Sequence, residues 1–197
     1  MEYMSHLQKD KKLASILTQE PFVLKRKKNL PIRLMASIMS QQLSTKVAAV
    51  IYKRFLALYD GKEPKVDAVL ATPNEALRAI GLSNAKVGYV KNVALFCLEN
   101  GITDRKLSTM NDDTIISLLV QIKGVGKWTV EMLLMFGLGR EDVFAVGDLG
   151  IQQAMCKLYK IDTTHKKTMQ EKMLKISQKW APYRTYACLH LWNWKDS

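Results

Sequence analysis

No stretch of about 18 consecutive apolar residues occurs in the chain, so no helix of ordinary membrane-spanning length is encoded. Cysteine is sparse: Cys97, Cys156 and Cys188 are odd in number and far apart. A disulfide framework needs pairs, and a zinc or iron–sulfur site needs clustered thiolates, so the spacing argues against all three and for a reducing interior. Sustained period-2 alternation of β-branched residues is missing, as are internal repeats and low-complexity blocks, which leaves an all-α fold class. Residues 1–12 carry charges where a secretory signal would carry an apolar core. Acid is the minority charge. The 18 Asp and Glu face 30 Lys and Arg, a formal net charge of +12, and this balance points to a polyanionic partner. A length of 197 residues suffices for one good core or for two small lobes.

What is present is organised around one stretch, Leu119-Val120-Gln121-Ile122-Lys123-Gly124-Val125-Gly126-Lys127-Trp128-Thr129-Val130. Ile115, Leu118, Leu119 and Ile122 recur at three- and four-residue steps before Gly124, and an apolar helical run follows Trp128. Two helices are thus joined by a Gly-Val-Gly hairpin over roughly residues 112–138. Such a turn needs backbone angles that a Cβ disfavours, and a bare backbone lets a ligand approach closely. The free N–H groups at the start of the second helix, around Gly126, Lys127, Trp128 and Thr129, would suit a phosphate, with the Lys127 charge beside it. A capping glycine between two packed helices is the structural alternative.

Around this hairpin the chain reads as helix after helix. A surface helix spans His6 to Leu17, and the basic run Lys25-Arg26-Lys27-Lys28 follows Pro21. Pro31 fits a first helical turn, with Leu34, Met35, Ile38 and Met39 forming a buried stripe. A second stripe is expected at Val47, Val50, Ile51, Phe55 and Leu58, its helix capped by Ser44. Short helices follow at Val66 to Ala71 and from Asn74, then a longer one from Ala85 to Leu98, whose Lys86 and Lys91 could either meet phosphate or simply face solvent. Asn111-Asp112-Asp113 caps the helix entering the hairpin. From Trp128 to Leu138 nearly every position is apolar, as in a central helix, and Glu131 is the one charge. The last helices run from Asp148 to Tyr159, Lys166 to Trp180 and Tyr183 to Trp194. On the last one, Trp192 points about 180° from Tyr183 and faces something other than the Tyr183 side.

Some twenty residues beyond the hairpin, Asp142-Val143-Phe144-Ala145-Val146-Gly147-Asp148 ends in a carboxylate at a helix start. An N-cap would account for Asp148 by itself. Taken with the hairpin, however, the segment resembles the helix-hairpin-helix DNA glycosylase superfamily. Ile38-Met39-Ser40-Gln41-Gln42-Leu43-Ser44 and Tyr183-Arg184-Thr185-Tyr186-Ala187-Cys188-Leu189-His190-Leu191-Trp192 are similar to the branch typified by 3-methyladenine DNA glycosylase II. The resemblance covers roughly Leu17 to Trp194.

The resemblance implies two helical lobes flanking a cleft, approximately residues 31–137 and residues 1–30 with 138–197, in a short form without the N-terminal β-rich domain of typical bacterial relatives. It implies a monomer acting inside the cell on double-stranded DNA that contains damaged bases. The matching aspartate, Asp148, would be catalytic. Gln42, with Gln41 beside it, would enter the duplex as a wedge. Trp128, Trp192 and Met132 would line the base pocket, Met132 standing where some relatives have a tyrosine. Relatives that also cut the strand carry a lysine nucleophile at the position of Trp128, so a monofunctional enzyme without lyase activity is expected. No cofactor is required and no iron–sulfur cluster is expected. A monovalent cation, Na or K, on the backbone carbonyls of Val120, Ile122 and Val125 is implied. The chemistry follows from charge: breaking an N-glycosidic bond leaves positive charge on the sugar, which a fixed carboxylate stabilises. A helix-hairpin-helix binding module without chemistry, and a glycosylase for deaminated or oxidised bases, are the alternatives.

Overall fold

The computed structural model describes residues 1–196, and all regular structure among them is helical. Two compact units divide the chain, Arg26–Leu138 and Met1–Lys25 with Gly139–Ser197.

The Arg26–Leu138 unit contains α3 (Leu30–Ser40), α4 (Thr45–Ala57), α5 (Val66–Ala71), α6 (Asn74–Ala79), α7 (Asn84–Glu99), α8 (Asp104–Thr109), α9 (Asp112–Leu119) and α10 (Lys127–Phe136). Helix α3 packs on α4, α7 and α10, and its stripe of Leu34, Met35, Ile38 and Met39 is buried as the 3.6-residue period requires. Pro31 sits in its first turn, and the Asp104 carboxylate accepts from the N–H groups of Asn29 and Leu30, both at 2.7 Å, taking up donors that the helix start leaves unsatisfied. Ser44, Ser83 and Asn111 cap α4, α7 and α9 through their side-chain oxygens. The second apolar stripe is narrower than expected: Ile51 and Phe55 are buried, whereas Val47, Val50 and Leu58 are exposed. Helix α4 packs chiefly on α3, and a helix with one main neighbour covers only a thin strip of its surface.

The other unit contains α1 (Glu2–Leu7), α2 (Lys11–Ala14), α11 (Leu149–Tyr159), α12 (Lys166–Ser177), a short 3-10 turn at Gln178–Trp180, and α13 (Arg184–Asp196). The single helix expected over His6 to Leu17 is two short ones. Asp10 breaks it: its side chain accepts from Lys12 N and Leu13 N, starting α2 afresh, and its second oxygen accepts from Tyr159 Oη at 2.8 Å and Trp180 Nε1 at 3.1 Å. Tyr3 then stacks on Tyr186 with ring centroids 3.9 Å apart, so the N-terminal segment is a built part of this unit's core. Helix α11 lies against α13 and fixes the surroundings of Asp148.

Candidate functional site

The hairpin forms as a tight connection between α9 and α10. Gly124 has φ +100°, and a methyl group there would run into the Tyr89 ring, so both backbone angle and space demand glycine. Gly126 differs. Its φ is −94°, and an added Cβ would meet nothing within 4 Å. Nothing inside the protein therefore calls for a glycine at 126. Val125 N donates to Ile122 O at 2.9 Å within the turn, and Asn92 Nδ2 donates to Lys123 O at 3.2 Å from outside it.

Helix α10 buries Thr129 through Met135. Glu131 is buried with them, and Lys127 Nζ stands 3.7 Å from its carboxylate one turn earlier. Trp128 is half-buried and Met132 buried on the same helix. Met132 also lines a cavity of about 380 Å³ inside this unit, among Ser40, Tyr52, Leu133 and Phe136.

Between α3 and α4, Gln41 and Gln42 part company. Gln41 Nε2 donates to Thr129 Oγ1 at 3.0 Å, which ties this loop to the first turn of α10. Gln42 is exposed, with φ +61°. The two lysines of α7 are half-buried and turned onto backbone carbonyls: Lys86 Nζ donates to those of Met39 and Gln41, and Lys91 Nζ to that of Leu70 at 3.2 Å. Burial holds the Lys86 ammonium below its ordinary pKa. All four residues of the run Lys25 to Lys28 are exposed.

In the other unit Asp148 caps α11, with Oδ1 accepting from Ile151 N at 2.9 Å. The same Oδ1 accepts from the indole Nε1 of Trp192 at 2.9 Å. Gly150 permits that approach, since a Cβ there would stand 3.1 Å from both Asp148 Oδ1 and Trp192 Cδ1. The loop leading to Asp148 is gripped by the first turn of α13. Arg184 forms a two-pronged ion pair with Asp142 at 2.7 and 2.9 Å, Thr185 Oγ1 accepts from Val143 N at 3.0 Å, and Thr185 N donates to Glu141 O at 2.9 Å. Tyr186 Oη donates to Glu141 at 2.7 Å, and burial with that bond pushes the phenol above its ordinary pKa. One helix thus holds both the loop and its terminal carboxylate.

Arg184, Thr185, Tyr186 and Gly150 were not singled out as site residues from the sequence. The partners of Arg184, Thr185 and Tyr186 in this loop lie 40 or more positions away, as does the Trp192 ring that Gly150 admits, beyond any local pattern. A carboxylate fixed by two N–H donors on one oxygen is a preorganised negative charge that can stabilise a developing cation.

A family model described as HhH-GPD superfamily base excision DNA repair protein matches residues 35–179. The chain belongs to the HhH-GPD superfamily. DNA-3-methyladenine glycosylase 1 of Schizosaccharomyces pombe is 35% identical over 162 residues, covering 81% of this chain and 70% of that protein. YfjP of Bacillus subtilis strain 168 is 32% identical over 166 residues, covering 81% of this chain, which spans only 57% of the length of that protein. The solved structure of the S. pombe 3-methyladenine DNA glycosylase Mag1 in complex with abasic DNA superposes with a TM-score of 0.86 at 30% identity, covering 98% of this chain and 96% of that one. As an HhH-GPD protein, the chain carries its Asp148 and all of α12 inside the matched region, with Trp192 beyond it.

Proposed function

We propose that this protein is a monofunctional DNA glycosylase that releases alkylated purines of the 3-methyladenine class from duplex DNA and leaves an abasic site. The observation that carries the reading is the Asp148 carboxylate held by Ile151 N and Trp192 Nε1 in an HhH-GPD chain. As the N-glycosidic bond breaks, positive charge develops on the deoxyribose, and Asp148 stabilises it and orients the attacking water. An N3-methylated adenine already carries positive charge and leaves without a strong general acid. Aromatic surface suffices to hold it, through cation–π attraction to Trp128 and Trp192, with Met132 adding a polarizable thioether.

The partner is damaged double-stranded DNA, bound by a monomer. Gln42 is the duplex wedge, and Gln41 anchors the loop that carries it. Gly124, Gly126, Lys127, Trp128 and Thr129 form the phosphate-binding turn. The absence of any internal demand for glycine at 126 supports close approach of an outside group there. The backbone carbonyls of Val120, Ile122 and Val125 would hold a monovalent cation. They are neutral oxygen donors just past the end of α9, and Ile122 O keeps a second lone pair beyond its bond to Val125 N. Such an ion would add positive charge beside the phosphate-facing amides.

The test is release of free base from methylated duplex DNA. Wild type should release 3-methyladenine, with strands cut only after alkali. Asp148→Asn should lower release by at least about 100-fold while DNA binding persists. Equal release by the two proteins would refute the assignment.

A further inference from the structure

We propose that Lys86 is a positioning residue for the Gln42 wedge: it clamps the turn that presents Gln42 to DNA and does not itself contact phosphate. The inference rests on the glycosylase reading above. Ser40 to Leu43 form a type II turn, closed by Leu43 N donating to Ser40 O at 3.1 Å, with Gln41 at φ −50°, ψ 132° and Gln42 at φ +61°. The third position of such a turn takes glycine or asparagine by preference, because a Cβ crowds the backbone there. A glutamine in that conformation is strained and persists only where its surroundings over-determine it.

The surroundings do so from two sides. Lys86 Nζ, reaching from the first turn of α7, donates to Met39 O at 2.9 Å and to Gln41 O at 2.7 Å, one carbonyl at the end of α3 and one inside the turn. Those are carbonyls that the end of α3 would otherwise leave short of partners. The Gln41 side chain makes the second tether, to Thr129, which is 1% exposed. The chain entering Gln42 is therefore pinned by α7 and by α10, and the turn closes behind it, while its own side chain is exposed. An ammonium spent on two backbone carbonyls is a poor phosphate ligand and a good clamp. A wedge held in this way enters the duplex without first ordering its loop.

The experiment compares affinity for a duplex carrying a tetrahydrofuran abasic analogue with affinity for the same duplex undamaged. Wild type, Gln42→Ala, Lys86→Met and the double variant are measured, each at several salt concentrations and each checked for folding by thermal melting. The expected result is that wild type prefers the analogue, that Lys86→Met loses on the order of tenfold of that preference, and that the double variant is no worse than Gln42→Ala. Affinity of Lys86→Met for undamaged duplex, and its salt dependence, should stay those of wild type. Additive losses in the double variant, or an equal loss on both duplexes with a salt slope lower by about one, would overturn the inference and make Lys86 an independent phosphate contact. Unchanged preference in Lys86→Met would also overturn it. If wild type shows no preference, the glycosylase reading fails and takes the inference with it. Should Lys86→Met not fold, Lys86→Gln, which retains a donor for one carbonyl, enters the same cycle with the same criteria.

Discussion

Trp192 and Asp148, 44 positions apart in the chain, meet through a 2.9 Å hydrogen bond from the indole N–H to Oδ1. The bond makes the tryptophan a support of the carboxylate as well as a source of aromatic surface. Trp192→Phe separates the two roles, because phenylalanine keeps a ring and loses the donor. A hydrogen bond to a charged group contributes about 1.5–3 kcal/mol, so kcat for base release should fall roughly 10- to 100-fold. Affinity for an abasic analogue should change far less. Single-turnover kinetics beside binding isotherms will show the split, and a loss confined to affinity would speak against the supporting role.

The two hairpin glycines should respond differently. Gly124→Ala forces a left-handed φ on a residue with a Cβ and pushes that Cβ into Tyr89, at a cost of about 1–3 kcal/mol in stability. For a chain of this size each kcal/mol lowers Tm by about 2–4 °C. Gly126→Ala meets nothing in the protein and should cost less than about 1 kcal/mol of folding stability, mostly for a poorer N-cap. It should nevertheless weaken DNA binding. Melting curves and DNA titrations of both variants will check the contrast.

His190 makes stability depend on pH. Its ring is buried, and burial pushes its pKa down to about 4 from an ordinary value of 6.5. Nδ1 faces the N–H of Thr18 at 3.3 Å and so acts as acceptor, which a proton there would abolish. The unfolded chain therefore binds a proton between pH 6.5 and 4 while the folded one does not. Stability from this residue is full above pH 6.5, falls as pH drops towards 4, and levels off below, for a total of about 3 kcal/mol. Urea denaturation at pH 7 and pH 5 should show the loss. His190→Phe should flatten it, and an unaltered slope would assign the pH dependence elsewhere.

Borohydride tests the reaction type. On the proposed reading Trp128 occupies the position of a lyase's lysine, and Lys127 lies one helical step, about 100°, away with its Nζ 3.7 Å from Glu131. No covalent protein–DNA adduct should form during reaction with methylated duplex under borohydride. A trapped adduct mapped to Lys127 would reverse the monofunctional assignment.

Much of the helical layout was legible because it is written locally. The stripe of Leu34 to Met39 follows from the 3.6-residue period, and Ser44 and Asn111 announce their helices through oxygens that reach only three residues ahead. Asp148 was legible as an N-cap for the same reason. What stayed hidden depends on distant partners. The break at Asp10 reflects Tyr159 and Trp180, and the position of Val47 and Val50 in solvent reflects how little packs against α4. Helical angles turned Trp192 away from Tyr183, but only the fold identifies Asp148 as what it faces. Lys86 looked like a surface lysine, since carbonyls 45 and 47 positions away leave no mark near it.

Helix α13 acts as a gauge. Thr185 and Arg184 at one end seat the approach to Asp148, and Trp192, eight residues after Arg184 and about 12 Å along the axis, sets the carboxylate itself. A residue inserted between them would advance Trp192 by about 1.5 Å and swing it about 100° off target, whatever its identity. The residues between them are buried, Leu189 alone being half-buried, so the stretch is constrained in composition by packing and in length by this spacing. The Asp148 carboxylate thus depends on a count of eight residues as much as on the indole that ends it.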